Sequence, residues 1–297
     1  MTFVLTLVAA RDDLSAQHVA TAANYIESNG IGLAGVPDWL TAHRAVDLKL
    51  ATGLNHAHIA ALREIFAGDG VDVFVNSTEG RRKKLLLADM DATIVTGETL
   101  DEIAALAGIG EKVAAITERA MRGELDFKAA LRERVSMLAG RDTALLQQAL
   151  DKMELSPGAE TLVRTMAAHG AVCVLVSGGF TFFTGAAAQR AGFHYHHGNV
   201  LGVADGELTG TVADPILDKD AKLSFLRQYA RDMNVAPEET MAIGDGANDL
   251  PMLEAAGLGI GYHPKPLLRE RLDNCIFHGD LTAVLYAQGY RENEIRR

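Results

Sequence analysis

Three apolar runs in this chain stop abruptly at clusters of small and acidic residues. LLLA runs into Asp89-Met90-Asp91-Ala92-Thr93, AVCVLV into Ser177-Gly178-Gly179, and MAI into Gly244-Asp245-Gly246-Ala247-Asn248-Asp249. Short β-rich runs that end this way and pass into helical patterning are typical of a parallel α/β sheet, whose ligands gather beyond the carboxyl ends of its strands. Two of the clusters bring carboxylates, and the middle one brings a hydroxyl and backbone N–H groups. Together they predict one site for a metal ion and a phosphate group.

The pattern starts only at Leu85. Before it, the sequence predicts a strand over TFVLTLVA, a helix from Ser15 through Asn29, a strand near IGLAGV, a strand over AVDLKLA, a helix from His56 through Gly68 and a strand over VDVFVNS. Ser15 is the expected N-cap of the first helix, and Gly30 its stop. The βαββαβ order predicts a small α+β ferredoxin-like unit over residues 1–80, and no catalytic constellation is evident in it. This order resembles the ACT-like domains. The resemblance implies a regulatory or oligomerisation role, with serine or another amino acid as ligand or a homodimer as product. Trp39 is read as packing within this unit.

Ser77 to Lys84 is polar and charged, with Gly80 as a breaker, and reads as a solvated linker, so a second domain is placed over 81–297. Within it, Leu100 to Leu150 is rich in helix formers and interrupts the alternation of strand and helix, which predicts a helical cap inserted over about 98–160. Asp205-Gly206, between two alternating segments, predicts a hairpin turn.

Composition narrows the function. A formal net charge of -11 disfavours nonspecific binding to nucleic acid or anionic membranes, and no aromatic-plus-basic stripe offsets it. No apolar stretch approaches the roughly 18 residues of a membrane span, and the first residues lack the basic start of a signal peptide, so a soluble cytoplasmic protein is expected. Cys173 and Cys275 are the only cysteines and read as plain thiols.

If the run ending at Asp91 is extended, Asp89 and Asp91 point to one side. Two carboxylates held close require a cation or a shared proton, and a hard divalent ion such as Mg²⁺ suits oxygen ligands. Asp245 and Asp249 can serve the same ion or its surroundings. Any one of these residues alone would more often cap a helix or close a turn; three clustered strand ends make that reading improbable. His194, His196 and His197 lack the companion spacing of a metal site and are read as strand-end or turn residues.

The succession DxDxT, Ser-Gly-Gly, Lys222 and GDGxND, with Glu98, Phe127, Arg134, the hairpin DGELTG and DKDAK in place, resembles the phosphoserine phosphatases of the haloacid dehalogenase-like superfamily over most of residues 85–265. Ala92 departs from the Ser of some members, while Thr93 keeps its hydroxyl. The resemblance implies a Rossmann-like core with a helical cap, and Mg²⁺-dependent hydrolysis of O-phosphoserine in serine biosynthesis. In that scheme Asp89 is the nucleophile and Asp91 the general acid and base. One Mg²⁺ sits on Asp89, Asp245 and the Asp91 carbonyl, while Ser177, Gly178, Gly179 and Lys222 hold the phosphate. Glu98, Met121, Phe127, Arg134 and Asn248 meet the rest of the substrate, with Thr93 and Asp249 in support. Two alternatives stand beside it: a phosphatase or phosphotransferase of the same superfamily acting on another phosphomonoester such as phosphohomoserine, and an amino-acid sensor or partner-binding protein.

Overall fold

The computed structural model describes residues 2–121 and 124–297. Strands β1 (Phe3–Ala9), β2 (Asp38–Thr41), β3 (Ala45–Leu50) and β4 (Val71–Ser77) form an antiparallel sheet in the order β2-β3-β1-β4. Helices α1 (Ala16–Ser28) and α2 (His56–Phe66) complete the ferredoxin-like βαββαβ arrangement. Ser15 is extended and its N–H is taken by His18 Nδ1 at 3.0 Å, while Gly30, at φ +73°, turns the chain out of α1. The strand expected near IGLAGV is displaced. Leu33 makes only an isolated bridge to Leu50, and Gly35 at φ +135° breaks the extended run, so β2 forms three residues further on, around Trp39, which packs against the core of this unit.

Residues Val4–Ala9 of β1 are all buried, because both faces of this sheet are covered. Leu5, Leu7, Val46 and Val73 pack with Ile26, Leu62 and Phe66 of the helices. On the other face Val8, Ala45 and Phe74 join a core with Val284, Tyr286 and Tyr290 near the end of the chain. A strand covered on two sides shows continuous rather than alternating hydrophobicity, as TFVLTLVA does.

The second sheet holds β5 (Leu85–Ala88), β6 (Val172–Phe180) and β7 (Tyr195–Asn199), and, after the hairpin β8 (Leu201–Ala204) and β9 (Glu207–Val212), β10 (Thr240–Gly244), β11 (Leu258–Tyr262) and β12 (Cys275–Ile276). Its six strands are parallel, in the order β12-β11-β10-β5-β6-β7. The chain builds from β5 towards β7, then returns to β10 and builds the other way. The β5/β10 boundary is therefore the topological switch point where a cleft opens. The three strands that end in the clusters read from the sequence, β10, β5 and β6, are neighbours.

Helices α3 (Thr99–Leu106), α4 (Gly110–Met121), α5 (Phe127–Ser136) and α6 (Ala144–Lys152) fill the insert after β5, and α7 (Ala159–Ala168) leads into β6. The hairpin turns at Asp205 (φ +51°) and Gly206 (φ +83°), the left-handed pair that Asp-Gly favours. It is bonded to the helical insert: Gly140 N–H donates to the Leu208 carbonyl and Leu208 N–H to the Arg141 carbonyl, each at 2.8 Å. The remaining helices are α8 (Thr181–Ala191), α9 (Lys219–Asp232), α10 (Leu250–Ala255), α11 (Pro266–Arg271) and α12 (Ala283–Ala287).

Residues 81–84 are not a solvated linker. Arg81 donates to both carboxylate oxygens of Asp47, at 2.6 and 2.8 Å, and to Thr6 Oγ1 at 2.9 Å. Arg82 pairs with Glu294 and lies over the Tyr290 ring. Lys83 is buried and donates to the Gly80 and Glu238 carbonyls, both at 2.8 Å, and Lys84 pairs with Glu239 at 2.7 Å. The charges that suggested solvent exposure serve instead to fasten the two sheets and the chain's last segment together. Both cysteines are buried free thiols, and among the described residues no helix is long and apolar enough to cross a membrane.

Candidate active site

Asp89 and Asp245 each follow a strand at the switch point, and Asp249 opens α10. One carboxylate oxygen from each of the three lies within 4.8 Å of the others, and all three residues are buried. Lys222, reaching in from α9, stands 2.7 Å from Asp89 Oδ1 and 2.6 Å from Asp249 Oδ1 and is 1% exposed. Burial alone would lower the Lys222 ammonium, but Asp249 and Asp89 outweigh it and hold it above the ordinary lysine value. Asp249 Oδ2 also accepts the Gly246 N–H at 3.2 Å. Gly244 is required here: a Cβ on it would lie 2.5 Å from the Asp249 carboxyl group.

After Asp89 the chain makes a tight turn. Ala92 sits at φ +51°, unusual for a residue with a Cβ, and Val95 N–H closes back on the Met90 carbonyl at 2.9 Å. That turn brings Asp91 over β6, where Oδ2 accepts the Ser177 hydroxyl at 3.2 Å and Oδ1 accepts the Thr99 N–H at 2.9 Å. Burial, reinforced by the neighbouring Asp89 charge and opposed by the Thr99 N–H, pushes the Asp91 carboxyl up to about 6. The Gly179 N–H donates to Ser177 Oγ at 2.8 Å, and a Cβ on Gly179 would come 2.8 Å from Asp91 Oδ2. Thr93 is buried, its hydroxyl without a hydrogen-bond partner among the described residues.

From the insert, Phe127 at the start of α5 lays its ring against Gly178, 3.0 Å from where a Cβ would stand. Phe127, Gly178, Lys222 and the exposed Asn248 line one cavity of about 810 Å³. Two ion pairs fasten α5 above it, Lys128 to Asp218 at 2.9 Å and Arg132 to Asp214 at 2.7 Å. Glu98 precedes α3; its partial enclosure, then Asp91, Asp245 and Asp89, push it up to about 7 against the pull of Lys265. Arg134 is set deeper in the insert, and its described hydrogen bonds go to Thr117 Oγ1 and the Ala130 carbonyl, each at 3.4 Å. Burial holds the Arg134 guanidinium below its ordinary value, and Asp101, then Glu98, oppose that shift. The Met121 side chain lies outside the described residues.

The model of the haloacid dehalogenase-like hydrolases matches residues 86–254, which contain all of these groups except Lys265. The chain belongs to that family. Over 237 residues it is 43% identical to phosphoserine phosphatase SerB2 of Mycobacterium tuberculosis, a match that takes in 79% of this chain and 58% of SerB2. It thus spans well under two thirds of that relative's length. It is 40% identical over 205 residues to a phosphoserine phosphatase of Methanocaldococcus jannaschii, covering 69% of this chain and 97% of the relative. A solved HAD-family hydrolase of Salmonella enterica subsp. enterica serovar Typhi superposes with a TM-score of 0.84 at 30% identity, covering 96% of this chain and 98% of the other. The likeness therefore includes the antiparallel sheet.

Two residues of this hydrolase's site carry no signal in the sequence. Asn199, at the end of β7, is 2% exposed; its amide donates to the Gly178 carbonyl at 2.7 Å and accepts the Leu217 N–H at 2.8 Å, fixing the Ser-Gly-Gly segment at the irregular end of β6 against the approach to α9. Lys265 places its ammonium 3.0 Å from Asp245 Oδ2 and 3.8 Å from Glu98 Oε1. Neither residue belongs to a spaced motif, so only the folded chain reveals it. The histidine run is structural: His194 accepts the Cys173 N–H, His196 meets Thr184, and His197 stacks on Phe225 and bonds Tyr229.

Proposed function

We propose that this HAD hydrolase cleaves O-phosphoserine to serine and phosphate. The observation that carries the reading is the buried meeting of Asp89, Asp245 and Asp249 around Lys222, with Asp91 turned towards Ser177. The donor set fits a magnesium ion: it is all oxygen, buried and rich in negative charge. Asp89 and Asp245 would hold the ion, with the Asp91 carbonyl as a further ligand. When bound, the ion supplies positive charge against the arriving phosphate.

The chain's own groups perform the rest. The Asp89 carboxylate attacks phosphorus and becomes an aspartyl-phosphate as the serine oxygen leaves. Asp91, whose raised pKa keeps it largely protonated in mildly acidic solution, gives that oxygen its proton. It then removes one from the water that attacks the aspartyl-phosphate and regenerates Asp89. Ser177, the Gly178 and Gly179 N–H groups and Lys222 would hold the phosphoryl oxygens, with Asp249 keeping Lys222 charged and in place. Glu98 is suited to the substrate ammonium and Arg134 to its carboxylate, while Phe127 closes the apolar side of the cavity. Relatives named phosphoserine phosphatases at 43% and 40% identity support the choice of substrate.

Phosphate release from a panel containing both O-phosphoserine enantiomers and phosphohomoserine, with and without Mg²⁺, tests the proposal. Asp89→Asn should lower the rate on the order of a thousandfold or more. A wild-type rate in that variant would refute the nucleophile, and equal turnover of the whole panel would refute the substrate.

A further inference from the structure

Lys265 stands between two carboxylates that the proposed function gives to two other cations, Asp245 to the metal and Glu98 to the substrate ammonium. Its position is set by the backbone: Lys265 N–H donates to the Asp245 carbonyl at 2.9 Å, and the residue is extended just before Pro266 and α11. From there the ammonium reaches Asp245 Oδ2 at 3.0 Å and Glu98 Oε1 at 3.8 Å. The other ammonium of the site, Lys222, is committed to Asp89 and Asp249, which leaves Lys265 as the described cation beside Asp245.

The two lysines differ in freedom. Lys222 is enclosed, with 2% of its side chain exposed, whereas 56% of the Lys265 side chain faces solvent. Swinging Lys265 outward uncovers no core and returns its charge to water. A divalent ion on Asp245 would repel this ammonium, and an ammonium on the substrate would compete with it for the Glu98 carboxylate.

We infer that Lys265 is a tethered placeholder cation, which neutralises Asp245 and Glu98 while the site is empty and must be displaced when metal and substrate enter. This rests on the metal reading given above. The alternative role for the same contact, bracing Asp245 so that it binds metal better, predicts the opposite effect of removing the charge.

Calorimetric titration of the full chain with Mg²⁺, paired with thermal unfolding in the absence and presence of the ion, separates these roles. Lys265→Met and Lys265→Ala should bind Mg²⁺ more tightly, by about threefold or more, because no internal cation competes. Both should unfold at a lower temperature without metal and gain more from its addition. Lys265→Arg retains the charge and should keep the wild-type affinity. Unchanged or weaker binding in both neutral variants, with wild-type binding intact and abolished by Asp245→Asn, would overturn the placeholder alone. A wild-type protein that takes up no Mg²⁺, or whose uptake survives Asp245→Asn, would overturn the metal reading and the placeholder with it.

Discussion

Asp47 in β3 and Asp89 after β5 are each 4% exposed, yet their surroundings differ in kind. Asp47 receives two bonds from the Arg81 guanidinium and one, at 2.8 Å, from the Thr6 hydroxyl. Its neighbour in the same sheet, Asp72, accepts backbone N–H groups from Phe277, His278 and Gly279. Each of these acids has donors of its own, and their bonds tie β3 and β4 to segments far along the chain. Around Asp89 the supply falls short: Asp89, Asp91, Glu98, Asp245 and Asp249 stand close together with Lys222 and Lys265 as the lysines paired to them. Burial therefore does not distinguish a structural acid from a functional one. What does is whether the fold supplies its hydrogen-bond donors and countercharge or leaves them to be brought from outside.

The strongest way to break this comparison is to remove one acid from each region. Asp47→Ala leaves the half-buried Arg81 guanidinium without its carboxylate and should cost about 3 kcal/mol of stability, read by urea unfolding, while turnover per folded molecule stays near wild type. Asp89→Asn should do the reverse. It relieves repulsion among the clustered acids, so the metal-free protein should unfold no more easily than wild type, although activity is lost. If Asp89→Asn proved as destabilising as Asp47→Ala, the site would not be short of positive charge and the distinction would fail.

A smaller effect sharpens the boundary between the two regions, because Asn199 satisfies its partners in the structural manner yet serves the site. Asn199→Ala strips the Gly178 carbonyl and the Leu217 N–H of their buried partners, a loss of about 1–2 kcal/mol in stability. It also frees the irregular end of β6 that aims the Gly178 and Gly179 N–H groups. The kinetic consequence should be a fall in kcat/KM of roughly tenfold, with Lys222 and the acids untouched. Loss of stability with unchanged kcat/KM would make Asn199 purely structural.

How far this was legible in the sequence follows from the same contrast. The strand-end acids could be read because their neutral neighbours are local: Gly244, Gly246 and the Asp89–Asp91 spacing lie within a few residues of the groups they serve, and three such clusters fell on adjacent parallel strands. The hairpin at Asp205-Gly206 and the helix stop at Gly30 were equally local. The structural acids and their partners could not be read, since Asp47 and Arg81, or Asp72 and Gly279, meet only after folding. The same non-locality made residues 81–84 look like a solvated linker, and it hid Lys265 and Asn199. The misplaced second strand has a different cause: IGLAGV has the hydrophobicity of a strand, but Gly35 breaks the extended geometry before Asp38.

Lys83 gives the finest test, because it is a buried cation of the structural region with no carboxylate at bonding distance among the described residues. Its ammonium is held by the Gly80 and Glu238 carbonyls, and burial, opposed by Glu239 and Glu238, draws its pKa from the ordinary 10.5 down to about 8. A base whose folded pKa lies below its unfolded one leaves the folded state with fewer protons between those values. Its effect must therefore be to raise stability as pH climbs from about 8 towards 10.5, and to withdraw that gain as pH falls back through 8. Thermal unfolding across this window should show wild type gaining on Lys83→Met by on the order of a few degrees, with the two converging in slope below it. Parallel curves throughout would mean that the two carbonyls hold the ammonium as well as water does. The region that binds Asp47 through Arg81 would then supply its buried cation as fully as its buried acids, and the shortage of countercharge would be confined to the switch point.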